Sequence, residues 1–128
     1  MLFKKNILVL IQLIIGFSCI GCSSKIGQVQ GKVTQNNALI DFKKTTVLQI
    51  IFLPVDTSGK KSYPADFDKN ENVYKITKIP NGRYKVAVSL LDPYPNNDKL
   101  RGKYTFEKTP LFCQIEGDTD FDINISLP

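Results

Sequence analysis

The sequence predicts an all-β protein built as a two-layer sandwich of about seven short strands. Three observations predict it. Beyond an apolar leader, short segments alternate apolar and polar residues with the period of a half-buried strand. Turn-forming residues separate those segments, and no window carries the spacing of an amphipathic helix.

The leader comes first in the chain. Lys4 and Lys5 precede a run from Ile7 to Ile20 that is apolar apart from Gln12 and small residues, the layout of an export signal. A membrane-spanning helix needs about 20 apolar residues, and this run stops short of that at Ser23, Ser24 and Lys25. It also lacks the polar face that a helix covering a core would show. The run ends in Cys19-Ile20-Gly21-Cys22, which resembles the signal of bacterial lipoproteins, where a diacylglycerol joins the thiol and the chain is cut just before it. Cys19 stands where that pattern usually has leucine, and Gly16-Phe17-Ser18-Cys19 offers a second frame. Gly21 directly before Cys22, and the polar Ser23-Ser24-Lys25 after it, favour Cys22 as the acylated residue. The resemblance implies a domain held at a membrane surface, since two or more acyl chains anchor stably where one binds only marginally. The expected organisation is a signal peptide over 1–21, a lipidated tether over 22–28 and a single domain over 29–128.

The strands follow in order. Residues 28–34 alternate with Val29 and Val33 in register, and 47–55 form a β-branched run bounded by Pro54. Residues 73–79 set Tyr74, Ile76 and Lys78 against Val73, Lys75 and Thr77. The clearest case is 83–91, where Tyr84, Val86, Val88 and Leu90 share one face. Residues 111–115 and 121–127 complete the set, the latter with Phe121, Ile123, Ile125 and Leu127 inward. Ile79-Pro80-Asn81-Gly82 reads as a tight reversal: the fixed φ of Pro80 suits the second turn position, and Asn81 and Gly82 tolerate the rest. Residues 66–72 read as a polar turn, and 92–98 as a longer loop stiffened by Pro93 and Pro95.

Cysteine count and charge narrow the function. Cleavage before Cys22 removes Cys19 and leaves Cys113 alone beside the acylated residue, not the even, dense set of a disulfide framework. Cys113 shares a face with Leu111 and Ile115 and reads as a small buried hydrophobe. The leader takes away two lysines and no acid, so the net charge falls from +5 to +3. The pairs Lys43-Lys44 and Lys60-Lys61 and the Lys99, Arg101, Lys103 cluster are not interleaved with stacking aromatics, so no nucleic-acid partner is expected. They read as solvated loop and edge-strand lysines.

Gly31-Lys32-Val33-Thr34, Ile50-Ile51-Phe52-Leu53-Pro54, an acidic turn, and Tyr74-Lys75-Ile76 leading into Ile79-Pro80-Asn81-Gly82-Arg83-Tyr84-Lys85-Val86 together resemble the carboxypeptidase regulatory-like domain. Lys103-Tyr104-Thr105, Thr109-Pro110-Leu111 and Asp120-Phe121-Asp122-Ile123 are similar to the closing part of short lipoproteins that carry it. The specific element is the turn with Pro80, Asn81, Gly82 and Tyr84. Asn36-Asn37-Ala38-Leu39 replaces the family's Gly-Lys-Pro-Leu, and Glu71 replaces the glycine of the acidic turn. The resemblance implies an Ig-like, transthyretin-like sandwich acting as a non-catalytic accessory module.

No enzyme, cofactor or metal is expected. Asp66, Asp68 and Asn70 alternate like the first ligands of a calcium loop, but Glu71 and Thr77 stand where the loop needs Gly and Glu. The chain has no histidine and no serine in a nucleophile-elbow setting. Asp118, Asp120 and Asp122 read as acids that keep an edge solvated. Two functions from different classes stay open: an envelope-anchored module that engages another envelope protein or a glycan, or a structural spacer without a specific ligand. For the first, Tyr63, Tyr94 and Tyr104 near the loops offer contact area, and packing against the sandwich ends explains them equally well. Either places the protein in a bacterial cell envelope, lipid-anchored at the outer membrane or cell surface.

Overall fold

The computed structural model describes residues 25–56 and 61–128, so the expected signal over 1–21 and the acylation site Cys22 lie outside the described residues. Among those described, every regular element is a strand, and two sheets lie face to face as a β-sandwich. The first sheet is built around β1 (Ile26–Gln35), with β5 (Val73–Pro80) and then β4 (Asp66–Asp68) on one side. On the other side β8 (Asp118–Asp120) and β9 (Ile123–Ile125) run parallel to β1. The second sheet runs β3 (Tyr63–Pro64), β2 (Val47–Pro54), β6 (Gly82–Leu91) and β7 (Phe112–Ile115), all antiparallel.

These nine strands contain the expected segments, with differences at their margins. The first three residues of the expected polar turn over 66–72 form β4, an edge strand paired to β5. β1 begins at Ile26, so Ile26 and Gly27, expected in the tether, already pair with Pro80 and Ile79, and Gln28 with Asp118. In β5 the alternation breaks: Gly27 faces Ile79 while Val29 faces Ile76, so Thr77 and Lys78 bulge outward together. The extra residue turns Ile79 into the core. In the closing segment Ile123 and Ile125 are buried as expected, but Phe121 is half-buried and Leu127 exposed.

The core lies between the two inner faces. Val29, Val33, Tyr74, Ile76, Ile79, Ile123 and Ile125 meet Leu48, Ile50, Phe52, Tyr84, Val86, Val88 and Ile115, with Cys113 among them. At its centre the Phe52 ring lies 5.9 Å from Tyr74, 6.2 Å from Tyr84 and edge-on to Phe121 at 6.4 Å.

One irregularity fixes the first sheet. β8 and β9 keep the same register against β1, and between them the backbone departs from the ladder at Phe121 and Asp122. The Asp122 carboxylate accepts the Lys32 N–H at 2.9 Å, in the place of a ladder carbonyl. The Phe121 carbonyl turns inward and accepts the Tyr74 hydroxyl. That carbonyl lies where a side chain on residue 31 would be: a Cβ on Gly31 would fall 2.0 Å from it. A glycine is therefore required at this position for close backbone approach.

The outer side of β6 is closed without a full-length strand. β7 pairs only with 82–85; beyond it Val86 N donates to Leu111 O, Val88 N to Tyr104 O and Leu90 N to Asp98 Oδ1. Buried Thr109 donates from Oγ1 to Val86 O at 2.7 Å. The connection over 98–111 thus satisfies the edge with mixed backbone and side-chain groups.

Candidate functional site

The sandwich has two unlike ends. At the near end the chain enters beside the β5–β6 turn, where Asn81 N donates to Lys25 O. Of the expected turn residues, Pro80 closes β5, Asn81 alone separates the strands, and Gly82 opens β6 with φ 149°, where glycine is favoured. The turn carries the chain from one sheet to the other. Tyr84 locks it: its hydroxyl donates to Pro80 O at 2.6 Å, a tyrosine corner. Burial, and then the neighbouring Tyr63, pushes the Tyr84 phenol up to about 12. Asn81 Oδ1 accepts Gly117 N at 3.0 Å, tying the β7–β8 turn to the same corner.

β1 runs from this corner to the opposite end, about 30 Å away at a rise of about 3.3 Å per residue. There it turns back through Asn36 and Asn37, with φ of 51° and 65° and a bridge between Gln35 and Ala38. Two successive positive φ values make a type I′ turn, and asparagine tolerates that region better than most residues. Asn124 braces the turn, accepting Asn37 N and donating from Nδ2 to Asn37 Oδ1.

Three segments meet at this far end: the loop over 36–46, the loop over 92–102 and the C-terminal residues 126–128. Side chains hold them. The Asp98 carboxylate accepts three backbone N–H groups, from Leu90, Leu100 and Gly102, each at 3.0 Å. Thr45 Oγ1 donates to Asp92 Oδ1 at 2.7 Å, and Tyr94 N donates to Thr45 O at 2.9 Å, which clips the two loops together. The Tyr104 hydroxyl accepts Ser126 N at 2.9 Å and anchors the last segment.

The loops flank an open cleft of about 320 Å³. Ile40, Leu90 and Leu127 supply its apolar wall; Lys43, Lys99 and Arg101 line it together with Asp41, Asp92 and the last residue, Pro128. On the same loops Leu39 is 75% exposed and Tyr94 53%. Loops gathered at one end of a sandwich are where such folds commonly carry contacts.

The other candidates fall elsewhere. Tyr104, expected near a contact surface, is buried beneath the C-terminal residues, and Tyr63 packs edge-on against Tyr84 at 5.9 Å. Only Tyr94 of the three tyrosines stands free for contact. Asp68 turns its carboxylate to Asn70 N and Glu71 N, closing the β4–β5 hairpin. Among the described residues no group of three or more His, Cys, Asp or Glu is placed to hold a metal ion. Asp120 accepts Gln30 Nε2 at 3.3 Å, and Asp122 belongs to the ladder with Lys32. Cys113 is buried and free, its thiol pushed up to about 11 by burial.

The lysines and arginine read as solvated charges divide. Lys99 and Arg101 line the cleft with Lys43, while Lys103 donates to Ser126 Oγ at 2.5 Å and lies over the Tyr104 ring. Their convergence was hidden in the sequence because Lys43 and Lys99 sit on loops remote along the chain. Comparison with known families, curated proteins and solved structures finds no match for the chain.

Proposed function

We propose that this protein is a lipid-anchored, non-catalytic component of a bacterial envelope, a carboxypeptidase regulatory-like sandwich that presents its far-end loops to a partner in that envelope. The observation that carries the reading is the polarity of the fold. Lys25 enters at one end, and the cleft, Leu39 and Tyr94 gather at the other. With acylation at Cys22, the four residues from there to Ile26 span at most about 14 Å, so the near end is held at the membrane. The far end then faces outward. A non-catalytic role is supported by the buried, weakly acidic thiol of Cys113 and by the absence of histidine from the chain.

Two measurements test the reading. Intact mass of membrane-extracted protein is expected to show a chain beginning at Cys22 with added acyl mass, lost in Cys22→Ser; an unmodified chain would remove the anchor. A photoreactive residue at position 39 or 94 is expected to crosslink to an envelope component, while one replacing Lys75 on the exposed sheet face gives no adduct. Equal labelling at all three, or none, would favour a spacer without a specific ligand.

A further inference from the structure

We propose that the outer face of the second sheet leans onto the membrane that holds the anchor, its apolar side chains among the lipid headgroups and Arg83 and Lys85 on the phosphates of anionic phospholipid. This inference rests on acylation at Cys22 and adds an orientation to it.

The outer faces of the two sheets are unlike. Across the first, strand pairing sets Asp66, Lys75, Gln30 and Asp120 in one row, all exposed, the polar surface expected of a sheet face that meets water. Across the second, one row is Leu53, Lys85 and Phe112, and the next is Pro64, Ile51 and Ala87. A third lies nearer the corner: Val55 N donates to Arg83 O, and Arg83 pairs with Gln114. These side chains point away from the core because Phe52, Tyr84, Val86 and Cys113, which alternate with them, point into it. Phe112 is 40% exposed and Val55 37%.

The cations of this face lie among its rings. The Arg83 guanidinium is 5.1 Å from the Phe112 ring centre, and Lys85 Nζ is 4.7 Å from that of Phe106 and 5.9 Å from that of Phe112. Lys85 Nζ also donates to Phe106 O at 3.3 Å. Long cationic side chains laid over apolar surface suit a lipid interface, where stem and ring sit deeper than the charge and the charge meets phosphate. Arg83 and Lys85 are the only charges in the three rows. Asp56, Glu107 and Glu116 flank the rows along the chain, as do Lys61 and Lys108.

The path of the chain decides what covers the face. Lys25 O accepts Asn81 N, and Arg83 follows two residues later on β6. From Cys22 to Ile26 the tether spans at most about 14 Å, and from Asn81 to Lys85 the chain runs about 13 Å. The acylated residue therefore brings the bilayer within reach of these rows, and a lean of the sandwich closes the distance while the far end stays clear. The tether also keeps the local concentration of lipid high, so a small contact area suffices.

The chain contains no tryptophan, so a single introduced one reports its own surroundings. Phe112→Trp and Thr77→Trp place it on opposite outer faces at matching heights: Lys85, which pairs with residue 112, and Thr77 each stand four residues from Asn81. An anchor alone holds both positions at one depth, and a lean separates them. The acylated full-length protein is inserted into vesicles of phosphatidylcholine and phosphatidylglycerol, with brominated lipid as the quencher. Quenching at position 112 is expected to exceed that at 77 about threefold or more, to weaken in phosphatidylcholine alone, and to fall toward the level at 77 when Arg83→Gln and Lys85→Gln are added. Gln114→Trp reads the same face from an exposed position and is expected to repeat the result, whether or not Phe112→Trp folds. Equal quenching on the two faces, in a chain whose mass shows the acyl groups, would overturn the inference and leave the anchor standing. A chain without acyl mass would remove both. Emission at 112 that is shifted to the blue without quenching, and returns as the protein is diluted in lipid, would assign the face to a second copy of the chain and overturn the membrane contact. Quenching unchanged by lipid charge and by the double substitution would overturn the role given to Arg83 and Lys85.

Discussion

The two ends of this sandwich differ in how closely their backbones approach. Around the near end and the middle of β1, backbones approach closely: Gly27 and Gly31 leave room for the carbonyls of Gly117 and Phe121, and two tyrosine hydroxyls and Asn81 tie the flanking backbone. At the far end, side chains meet backbone: Asp98 gathers three N–H groups, Asn124 braces a turn, and Thr45 and Asp92 clip two loops. Close backbone approach admits no substitution at the glycine, whereas a loop held by polar side chains leaves its remaining positions open to change. The first arrangement determines the fold; the second leaves a surface on which contacts can be composed.

The sharpest way to break this comparison is at Gly31. A Cβ there would lie 2.0 Å from a carbonyl oxygen that is itself bonded to Tyr74, so relief requires moving backbone in the core. Gly31→Ala is expected to destabilise by about 3 kcal/mol or more, measured by urea unfolding. A loss under about 1 kcal/mol would mean that β8 and β9 shift freely and that the near side is no more rigid than the far end. Tyr74→Phe is the next largest. It keeps the ring packing and leaves the Phe121 carbonyl without its donor, for an expected loss of about 1–3 kcal/mol.

Alkali should act on the same buried side. Burial raises the Cys113 thiol from 9.0 to about 11 and the Tyr84 phenol from 10.0 to about 12, and raises Tyr74 further, with Cys113, Asp122 and Asp120 adding to the effect of burial. The folded chain therefore holds these protons more tightly than the unfolded chain. Stability is full below pH 9 and falls as pH rises from about 9 through about 12. Cys113→Ala lowers stability overall but removes the first of these groups, so its unfolding midpoint should stay flat until about pH 10. An onset unchanged by this substitution would place the alkaline sensitivity outside the core.

The same contrast decides what the sequence could disclose. Alternation identified β1, β6 and the inward residues Ile123 and Ile125, and a β-branched run identified β2, because each of these segments lies with one face against the other sheet. Asn81 and Gly82 marked the corner through their turn chemistry. What escaped has no local period. β4 is too short to alternate, and its polar residues are those of a solvated edge. The bulge at Thr77 and Lys78 puts Ile79, rather than Lys78, inside; that shift depends on the spacing opposite it in β1. Tyr104 is buried by Ser126 and its neighbours, a contact made by the far end of the chain. Lys43, Lys99 and Arg101 looked like separate solvated charges because only the fold joins their loops.

The smallest expected effect on stability is also the one that separates surface from scaffold most cleanly. Leu39 is 75% exposed and Tyr94 53%, and the bond that fixes Tyr94 runs through its backbone N–H, which any non-proline residue supplies. Replacing both by serine removes apolar surface that the fold does not bury. The unfolding free energy should therefore stay within about 0.5 kcal/mol of the parent chain. Affinity at the far end should nevertheless fall, because aromatic and aliphatic side chains at loop tips supply contact area at little entropic cost. Unfolding in urea reads the first quantity, and the yield of envelope crosslinks from a photoreactive residue at a neighbouring loop position reads the second. A stability loss as large as that of Tyr74→Phe would mean that these side chains support the loops, and the difference between the two ends would then be one of degree.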